Sequence, residues 1–413
     1  MALILFELFV AALLCFEYIK NRQLLNPLSL FAVPYMVIIG INNVFAVNNG
    51  FYKIEDSVIY MILLAVFMFF LGTNFIGLKI PESVQSKSNT LDKINRYNIN
   101  KMKKYALFVL LVAYLKLLIA VYKNGISWLG SNENEGYVMT GLSGHLLLTL
   151  YVIVPILFTY WLMNKKDKGA LLLCLLTFFV IFLSFIKYHI ICLVVLVFLF
   201  VVGENKDYLI KGIIIVLGSS IGIFVLNYVV AFVLNNIIGD ISNTFYLNHL
   251  WKYLGGSVIN DNIIFNSGID IGVSLMYKLG SILFTLPNMF LVKLGYNEIC
   301  PRTGLDGMHL VSSQGEASNV TDFIGYIFPS RGDIFDMVSF CMFMYLFGLI
   351  CQYIFFKYKK SNHVFEVDVW VFFTFFCFFS FFGVYGTLSS PWEILVYSMI
   401  IPAFFSGKIR MGK

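Results

Sequence analysis

Long apolar stretches separated by short polar connections dominate the pattern along this 413-residue chain. A helix needs about 20 apolar residues to cross roughly 30 Å of hydrocarbon, and eleven stretches are apolar and long enough to predict such spans. They run from Leu3 to Ile19, Leu28 to Ala46, Val58 to Gly77, Tyr105 to Tyr122, Leu142 to Met163, Ala170 to Ile186, His189 to Val202, Ile210 to Ile238, Ile334 to Phe356, Val367 to Tyr385 and Trp392 to Phe405.

One long polar interruption breaks this pattern between Ile241 and Arg331. Inside it, the moderately apolar run from Val273 to Leu294 is interrupted by Lys278 and Pro287, so we expect it to be re-entrant or to lie in the membrane interface. The pattern predicts an all-α integral membrane protein with a single polytopic domain over residues 1–413. A large loop over about residues 240–333 would hold short amphipathic or re-entrant helices.

Composition excludes a soluble protein. Hydrophobic residues make up 59% of the chain and charged residues 13%, against about 25% charged in soluble domains, and the mean hydropathy is +0.83. Six of the seven cysteines lie in apolar runs, and only Cys300 lies in a loop. This spacing matches neither a disulfide framework nor a metal site.

Lysine and arginine are distributed unevenly between the two sets of alternate loops. One set carries 20 of these residues and the other carries 8, with Lys116 inside the fourth span. Loops rich in Lys and Arg stay in the cytoplasm. The N-terminus and the long interruption are therefore predicted outside the cytoplasm and the C-terminus inside.

The turn before the ninth span is a candidate anion site. Pro329 and Gly332 permit a tight turn, and the helix that follows would point free N–H groups at a ligand above it. Arg331 adds a planar charge suited to phosphate. The turn predicts a seat for a pyrophosphate, although Ser330 and Asp333 also match an ordinary capping box.

Aromatic and polar residues alternate at the start of the interruption, between Tyr246 and Gly256, where His249, Trp251 and Lys252 lie, and the polar run Asn260-Asp261-Asn262 follows. Such a mixture suits sugar stacking and hydroxyl recognition, and it equally suits an interfacial aromatic belt. The belt is favoured for the aromatic residues, and both interpretations stay open for His249 and Lys252.

Other charged groups add candidates. Lys187 lies at the membrane boundary between two short spans, where a charge is costly and often functional, although a lysine there can also snorkel from a helix end. Acid–base candidates in the middle of the interruption are Arg302, Asp306, His309 and Glu316. No H-x-x-x-H, C-x-x-C or D-x-D pattern and no glycine-rich nucleotide loop occurs, which disfavours nucleotide-driven transport and nucleotide-sugar chemistry.

The layout of spans and the late external loop resemble those of a known family, the bacterial oligosaccharide repeat-unit polymerases (O-antigen or capsule polymerases of the Wzy type). Two loose motifs add to the resemblance: Tyr253-Leu-Gly-Gly256, and Ser318-Asn-Val-Thr-Asp-Phe323 followed eight residues later by Arg331-Gly-Asp-Ile-Phe335. Lys187 stands where many members, and the related O-antigen ligases, have an arginine, which is a departure from the family pattern.

The resemblance implies a GT-C-like fold and glycosyl transfer at the outer face of a bacterial inner membrane, without metal or cofactor. A growing glycan on undecaprenyl pyrophosphate would be the donor and one repeat unit on the same carrier the acceptor. It implies a chain-length regulator and a flippase of the same pathway as partners, besides membrane lipids, and no nucleic acid. By role, the implied residues are Arg331, Arg302, Lys187 and Lys252 for pyrophosphate, Asp333, His309, Asp322 and Glu316 for the base, and Asn319, His249 and Trp251 for the glycan.

Two alternatives remain open. An O-antigen ligase-type enzyme shares this chemistry and differs in its acceptor. A lipid-linked oligosaccharide flippase or other transporter belongs to another class, and it would more often show paired halves and polar residues deep in several spans. In this sequence the ionisable residues concentrate on one side, which favours an enzyme.

Overall fold

A computed structural model describes residues 1–75, 94, 97–130, 134, 136–164, 167–184, 186–204, 208–234, 245–267, 273–302, 307–329, 334–360 and 364–406. Among these residues are fifteen α-helices, four 3₁₀-helices and one β-hairpin. The helices are α1 (Ala2–Asn21), α2 (Pro27–Val44), α3 (Asp56–Asn74), α4 (Ile99–Asn124), α5 (Gly141–Met163), α6 (Lys168–Phe182), α7 (Lys187–Glu204), α8 (Leu209–Leu234), α9 (Phe245–Ser267), α10 (Leu275–Leu283), α11 (Thr285–Lys293), α12 (Phe323–Ile327), α13 (Ile334–Lys360), α14 (Val364–Phe378) and α15 (Ser389–Phe405). Strands β1 (His309–Leu310) and β2 (Ala317–Ser318) pair antiparallel, with His309 opposite Ser318.

A helix lies at each of the eleven predicted spans, so the all-α class and the multi-pass membrane character are confirmed. Among the described residues, α1, α2, α3, α4, α5 and α13 are long and apolar enough to cross a membrane. Helices α6, α7 and α14 are apolar but shorter. The full number of eleven crossings and the GT-C-like fold stay predictions.

Local sequence signals set where these helices begin. At the start of α2, the Asn26 side chain accepts the Ser29 N–H at 2.9 Å, and the Ser29 hydroxyl accepts the Asn26 N–H at 3.0 Å. This reciprocal capping satisfies two backbone donors that a helix start leaves free. Pro27 occupies the first helical position, where its missing N–H costs nothing.

The run from Val273 to Leu294 forms two short helices, α10 and α11, bent by 65°. The break falls at Phe284, and Pro287 explains it because a proline ring collides with the carbonyl four residues earlier, here the last one of α10. Lys278 does not interrupt the helix as predicted, since it lies within α10 and is only 1% exposed. The pair is either one broken span or a re-entrant loop, so a straight twelfth span is excluded.

The chain divides into two compact units. Unit 1 comprises Met1–Gln85, Asn243–Lys360 and Phe376–Trp392, and unit 2 comprises Ser86–Ser242, Ser361–Phe375 and Glu393–Lys413. Most of the predicted site residues belong to unit 1, whereas Lys187 belongs to unit 2.

In unit 2, Lys116 has a structural partner set that the sequence did not indicate. Its Nζ donates to the backbone carbonyls of Tyr137 and Thr140 at 2.7 and 2.8 Å and to the Ser143 hydroxyl at 3.0 Å. It also lies 4.6 Å from the centre of the Tyr137 ring. The charge therefore holds the turn that leads into α5.

In unit 1, helices α3 and α13 cross with their backbones in contact. A side chain at Gly72 would collide with the carbonyl oxygen of Tyr345, and a side chain at Gly348 would collide with that of Phe69. Each helix thus presents one glycine to the backbone of the other. Small residues allow such close approach between helices in a membrane, where packing supplies much of the association energy.

We expect Gly72→Ala and Gly348→Ala each to destabilise the protein by at least about 2 kcal/mol, because overpacking typically costs about 1–3 kcal/mol and a backbone carbonyl cannot move aside. Thermal unfolding of the detergent-solubilised protein measures the effect. Gly218→Ala in α8 is the matched control, since its added carbon meets nothing within 4 Å. Wild-type stability in both α3 and α13 variants would contradict this crossing.

Candidate functional site

Helix α9 and the β1–β2 hairpin meet along a regular line of contacts, which we call the seam. On the helix, the contacting residues recur every fourth position, and on the hairpin every second position. The partners are Asn248 with Gln314 (3.4 Å), Lys252 with Glu316 (3.5 Å), Gly256 with Ser318, and Asn260 with the carbonyls of Ser318 and Val320 (3.2 and 2.8 Å).

Backbone geometry explains this regularity. Four residues of an α-helix rise about 6.0 Å, and two residues of an extended chain advance about 6.6 Å. The two repeats therefore stay in step from Glu316 to Val320, whereas Gln314 contacts Asn248 from the turn of the hairpin. Gly256 is required in this line, because a side-chain carbon there would lie only 3.0 Å from Cβ of Ser318.

A second set of contacts fixes the hairpin on its other side, against the connection between α2 and α3. The Tyr52 N–H donates to the Val311 carbonyl at 2.9 Å, and the Ser313 N–H donates to the Gly50 carbonyl at 2.8 Å. Gly50 has φ 87°, a left-handed conformation that favours glycine. The hairpin is thus held from two sides, which gives its side chains defined positions.

The outer end of the seam brings together two residues that the sequence assigned to different roles. Lys252 Nζ lies 3.5 Å from Glu316 Oε2, and the two side chains are 19% and 21% exposed. The pair is therefore partly shielded and still open to solvent.

The aromatic neighbours of Lys252 on α9 are ordered by specific contacts. Trp251 donates its ring N–H to the Asn42 side chain at 2.9 Å. The rings of His249 and Tyr253 pack edge to face, with centroids 5.2 Å apart. The Trp251 contact ties α9 to α2, so this tryptophan has a structural role at least.

The other predicted site residues are distributed as follows. His309 is half-buried on β1, Asn319 is exposed directly after β2, and Arg302 is exposed beyond α11. Lys187 begins α7, and its side chain is not described. Three predicted residues lie outside the described residues: Asp306, Arg331 and Asp333.

Asp322, predicted as a base candidate, lies at the buried inner end of the seam. It caps α12, where its Oδ1 accepts the Gly325 N–H at 2.5 Å, and it has no exposed surface. Asp261, on the turn of α9 after Asn260, faces it and is 1% exposed. A side chain at Gly325 would collide with the Asp261 carboxyl group, so glycine leaves the space that this group occupies.

Burial and mutual repulsion shift both carboxyl groups. Burial raises the pKa of Asp261 well above its ordinary value, and the charge of Asp322 adds to that rise. Burial also raises the pKa of Asp322, to about 7, although the Gly325 N–H and Asp261 favour its charged form. Two buried carboxyl groups in one site do not both ionise near neutral pH, so the pair retains a proton there.

The sequence placed Asp261 in the polar run Asn260–Asn262 without indicating its role, and it gave no sign of a third neighbour, Tyr35. The Tyr35 hydroxyl lies beside both carboxyl groups and beside Ser380, and the side chain is fully buried. Tyr35 falls in an apolar span and has no local signal of function. For Asp261 a signal existed, since a charge next to the four-residue repeat of α9 must be buried if the repeat packs against another element.

We expect Asn260→Asp to destabilise the protein by about 3 kcal/mol or more. The change removes both hydrogen bonds to the hairpin and places another carboxylate beside Asp261, and buried unpaired charges carry this order of cost. Unfolding and limited proteolysis within residues 307–320 measure it. Asn248→Asp, at the exposed end of the seam, should behave like wild type. Equal losses of stability in the two variants would argue against the seam.

Comparison with known proteins identifies no relative. No family model matches the sequence, and no curated protein and no solved structure matches it. The function is therefore argued from the residues and from their arrangement along the seam.

Proposed function

We propose that this protein is a membrane glycosyltransferase that acts on glycans linked to a polyprenyl pyrophosphate, with its reaction at the outer end of the seam. The Lys252–Glu316 pair carries the proposal. It sets an accessible carboxylate beside an accessible cation, on a helix that also bears His249 and Trp251. Asn319 follows on the exposed edge of the hairpin.

The chemistry requires two groups of opposite character. In the transfer, the acceptor hydroxyl gives its proton to Glu316 while its oxygen bonds to the anomeric carbon of the donor. The bond from that carbon to the pyrophosphate oxygen breaks, and the lipid pyrophosphate leaves with the electron pair. A positioned base assists the first event, and fixed cations stabilise the charge that develops in the second.

Cations are available for the leaving pyrophosphate. Lys252 lies beside the base, and Arg302 is exposed on the same unit. The sequence adds Arg331, which precedes α13. Since the donor and acceptor carry long apolar tails, an enzyme built largely of apolar helices can hold both at the bilayer edge.

Within this class, we propose the repeat-unit polymerase as the specific activity. The motifs Tyr253–Gly256 and Ser318–Phe323 support it, because both lie on the seam and meet where Gly256 packs on Ser318. The same chemistry would serve an O-antigen ligase, so the product separates the two. Loss of a polymerase leaves a single repeat unit on the cell surface, whereas loss of a ligase leaves no surface glycan.

We expect Lys252→Ala and Glu316→Gln to lower polymer formation by about 100-fold or more, the usual range for loss of a group that stabilises developing charge or of a base. The Lys53–Asp56 pair is the matched control, with the same 3.5 Å separation but 62% and 51% exposure. Lys53→Ala and Asp56→Asn should leave the polymer ladder unchanged, and membrane levels of all four variants should match wild type.

The outcomes of that experiment discriminate between functions. A normal ladder in both seam variants would refute the site. If removal of the whole gene leaves the ladder intact, the polymerase proposal is wrong. If removal abolishes even the single repeat unit at the surface, the result favours a flippase or a ligase.

The proposed reaction also requires the seam to face away from the cytoplasm. A reporter that is active only outside the cytoplasm should work when it is inserted after Gly307 and should fail when it is fused at Lys359. This follows from the uneven distribution of Lys and Arg among the loops. The reverse pattern would place the seam in the cytoplasm and would exclude lipid-linked repeat units on the outer face as substrates.

A further inference from the structure

At the inner end of the seam, Asn260 Oδ1 and four oxygen atoms on three titratable side chains are buried without hydrogen bonds to the described residues. The four are both carboxyl oxygens of Asp261, Oδ2 of Asp322 and the hydroxyl oxygen of Tyr35. None of them has a hydrogen-bond partner among the described residues. The three side chains are at most 1% exposed. They come from three different segments: α9, the cap of α12 and α2.

Buried polar atoms in folded proteins are nearly always paired, and unpaired ones indicate a bound water, an ion or a proton. The neighbouring hydroxyl of Ser380 already donates to the Cys377 carbonyl at 2.8 Å, so it can serve the cluster only as an acceptor. The oxygens of this cluster therefore have acceptors in excess and too few donors. The missing partner is positive or carries hydrogen.

The charges nearby narrow the choice of partner for these oxygens. Among the described residues, the two carboxyl groups face each other and Tyr35, and no other titratable group. Lys278 is buried at the opposite end of α12, where it donates to the Phe328 carbonyl at 3.3 Å. On α3, which also packs against α9, Asp56 and Tyr60 are exposed. A buried pair of carboxylates without a cation is far too costly to persist.

We propose that Asp261, Asp322 and Tyr35 form a binding site for one small monovalent cation, either a proton or Na⁺. All ligand atoms are oxygens, the donors that hard cations prefer. A single charge suits a site with two carboxyl groups, because a cation on one and a proton on the other leave it neutral. No group of three or more His, Cys, Asp and Glu side chains occurs among the described residues, so the cluster lacks the extra carboxylates of a typical calcium site.

Occupancy of this site would close the inner end of the seam. Asp261 belongs to the helix and Asp322 to the chain leaving the hairpin, so a shared cation joins the two elements. Its removal leaves a buried negative charge without compensation between the two elements, which is costly. The site is separate from the Lys252–Glu316 pair, and it stands whether or not the protein transfers glycosyl groups.

The test uses the purified full-length protein in detergent, with thermal unfolding followed from pH 5 to pH 9 in choline chloride. A carboxyl group with a raised pKa binds its proton more tightly in the folded state, so stability is highest at low pH and is lost as pH rises through the folded-state pKa. We expect Tm to fall by about 1–2 °C per pH unit around pH 7. Addition of NaCl at pH 8.5 separates the two cations: Na⁺ restores Tm if it binds, and KCl does not.

The variants decide whether this cluster is responsible. Asp261→Asn and Asp322→Asn should each reduce the pH slope and any Na⁺ effect, and the double variant should abolish both. Asparagine can still cap α12, so Asp322→Asn keeps the fold. Asp56→Asn, an exposed carboxyl group in the same unit, should retain the wild-type profile.

Binding of either cation supports the site. The pH series and the additions of NaCl and KCl identify which cation binds. A pH slope without a Na⁺ response assigns a proton, and a Na⁺ response that the double variant lacks assigns Na⁺. If the double variant keeps the wild-type pH slope and Na⁺ response, or if wild type shows neither, the oxygens are paired by water and the proposal is wrong.

Discussion

The packing of α9 against the hairpin depends on a match between two backbone repeats. A helix returns to the same face after four residues, and an extended chain after two, over nearly equal lengths. This match lets a line of contacts run from Lys252 to Asn260, and Gln314 in the turn of the hairpin extends the line to Asn248. Every functional argument about unit 1 depends on it, since it decides which loop residues meet the helix.

The seam also explains why its two ends differ chemically. At the outer end, Lys252 and Glu316 neutralise each other while keeping about a fifth of their side-chain surface in contact with solvent. At the inner end, two carboxyl groups are buried, and no basic side chain faces them among the described residues. The seam thus forms an ion pair at the end that solvent can reach. At the end that solvent cannot reach, it forms a pair of carboxyl groups that retains a proton.

Apolar runs predicted the helices well, because a stretch of about 20 apolar residues has few alternatives to a helix in a membrane. The bend near Phe284 was also accessible, since Pro287 forbids a continuous helix. Lys278 misled the same prediction: a charge in an apolar run suggested an interruption, whereas a buried carbonyl of Phe328 accommodates it. The interior of the protein supplied a partner that local sequence cannot display.

The site was only partly predictable for the same reason. Lys252 and Glu316 were both candidates, but 64 positions separate them along the chain, and their pairing depends on the register of the seam. Asp322 was proposed as a base from its loop, where its simpler role as a helix cap competes with catalysis. Burial beside Asp261 gives Asp322 a further constraint. Capping uses only one of its carboxyl oxygens, and the second oxygen is left facing the carboxyl group of Asp261. A buried oxygen without a hydrogen bond is costly for a cap alone, and the proposed cation would offset that cost.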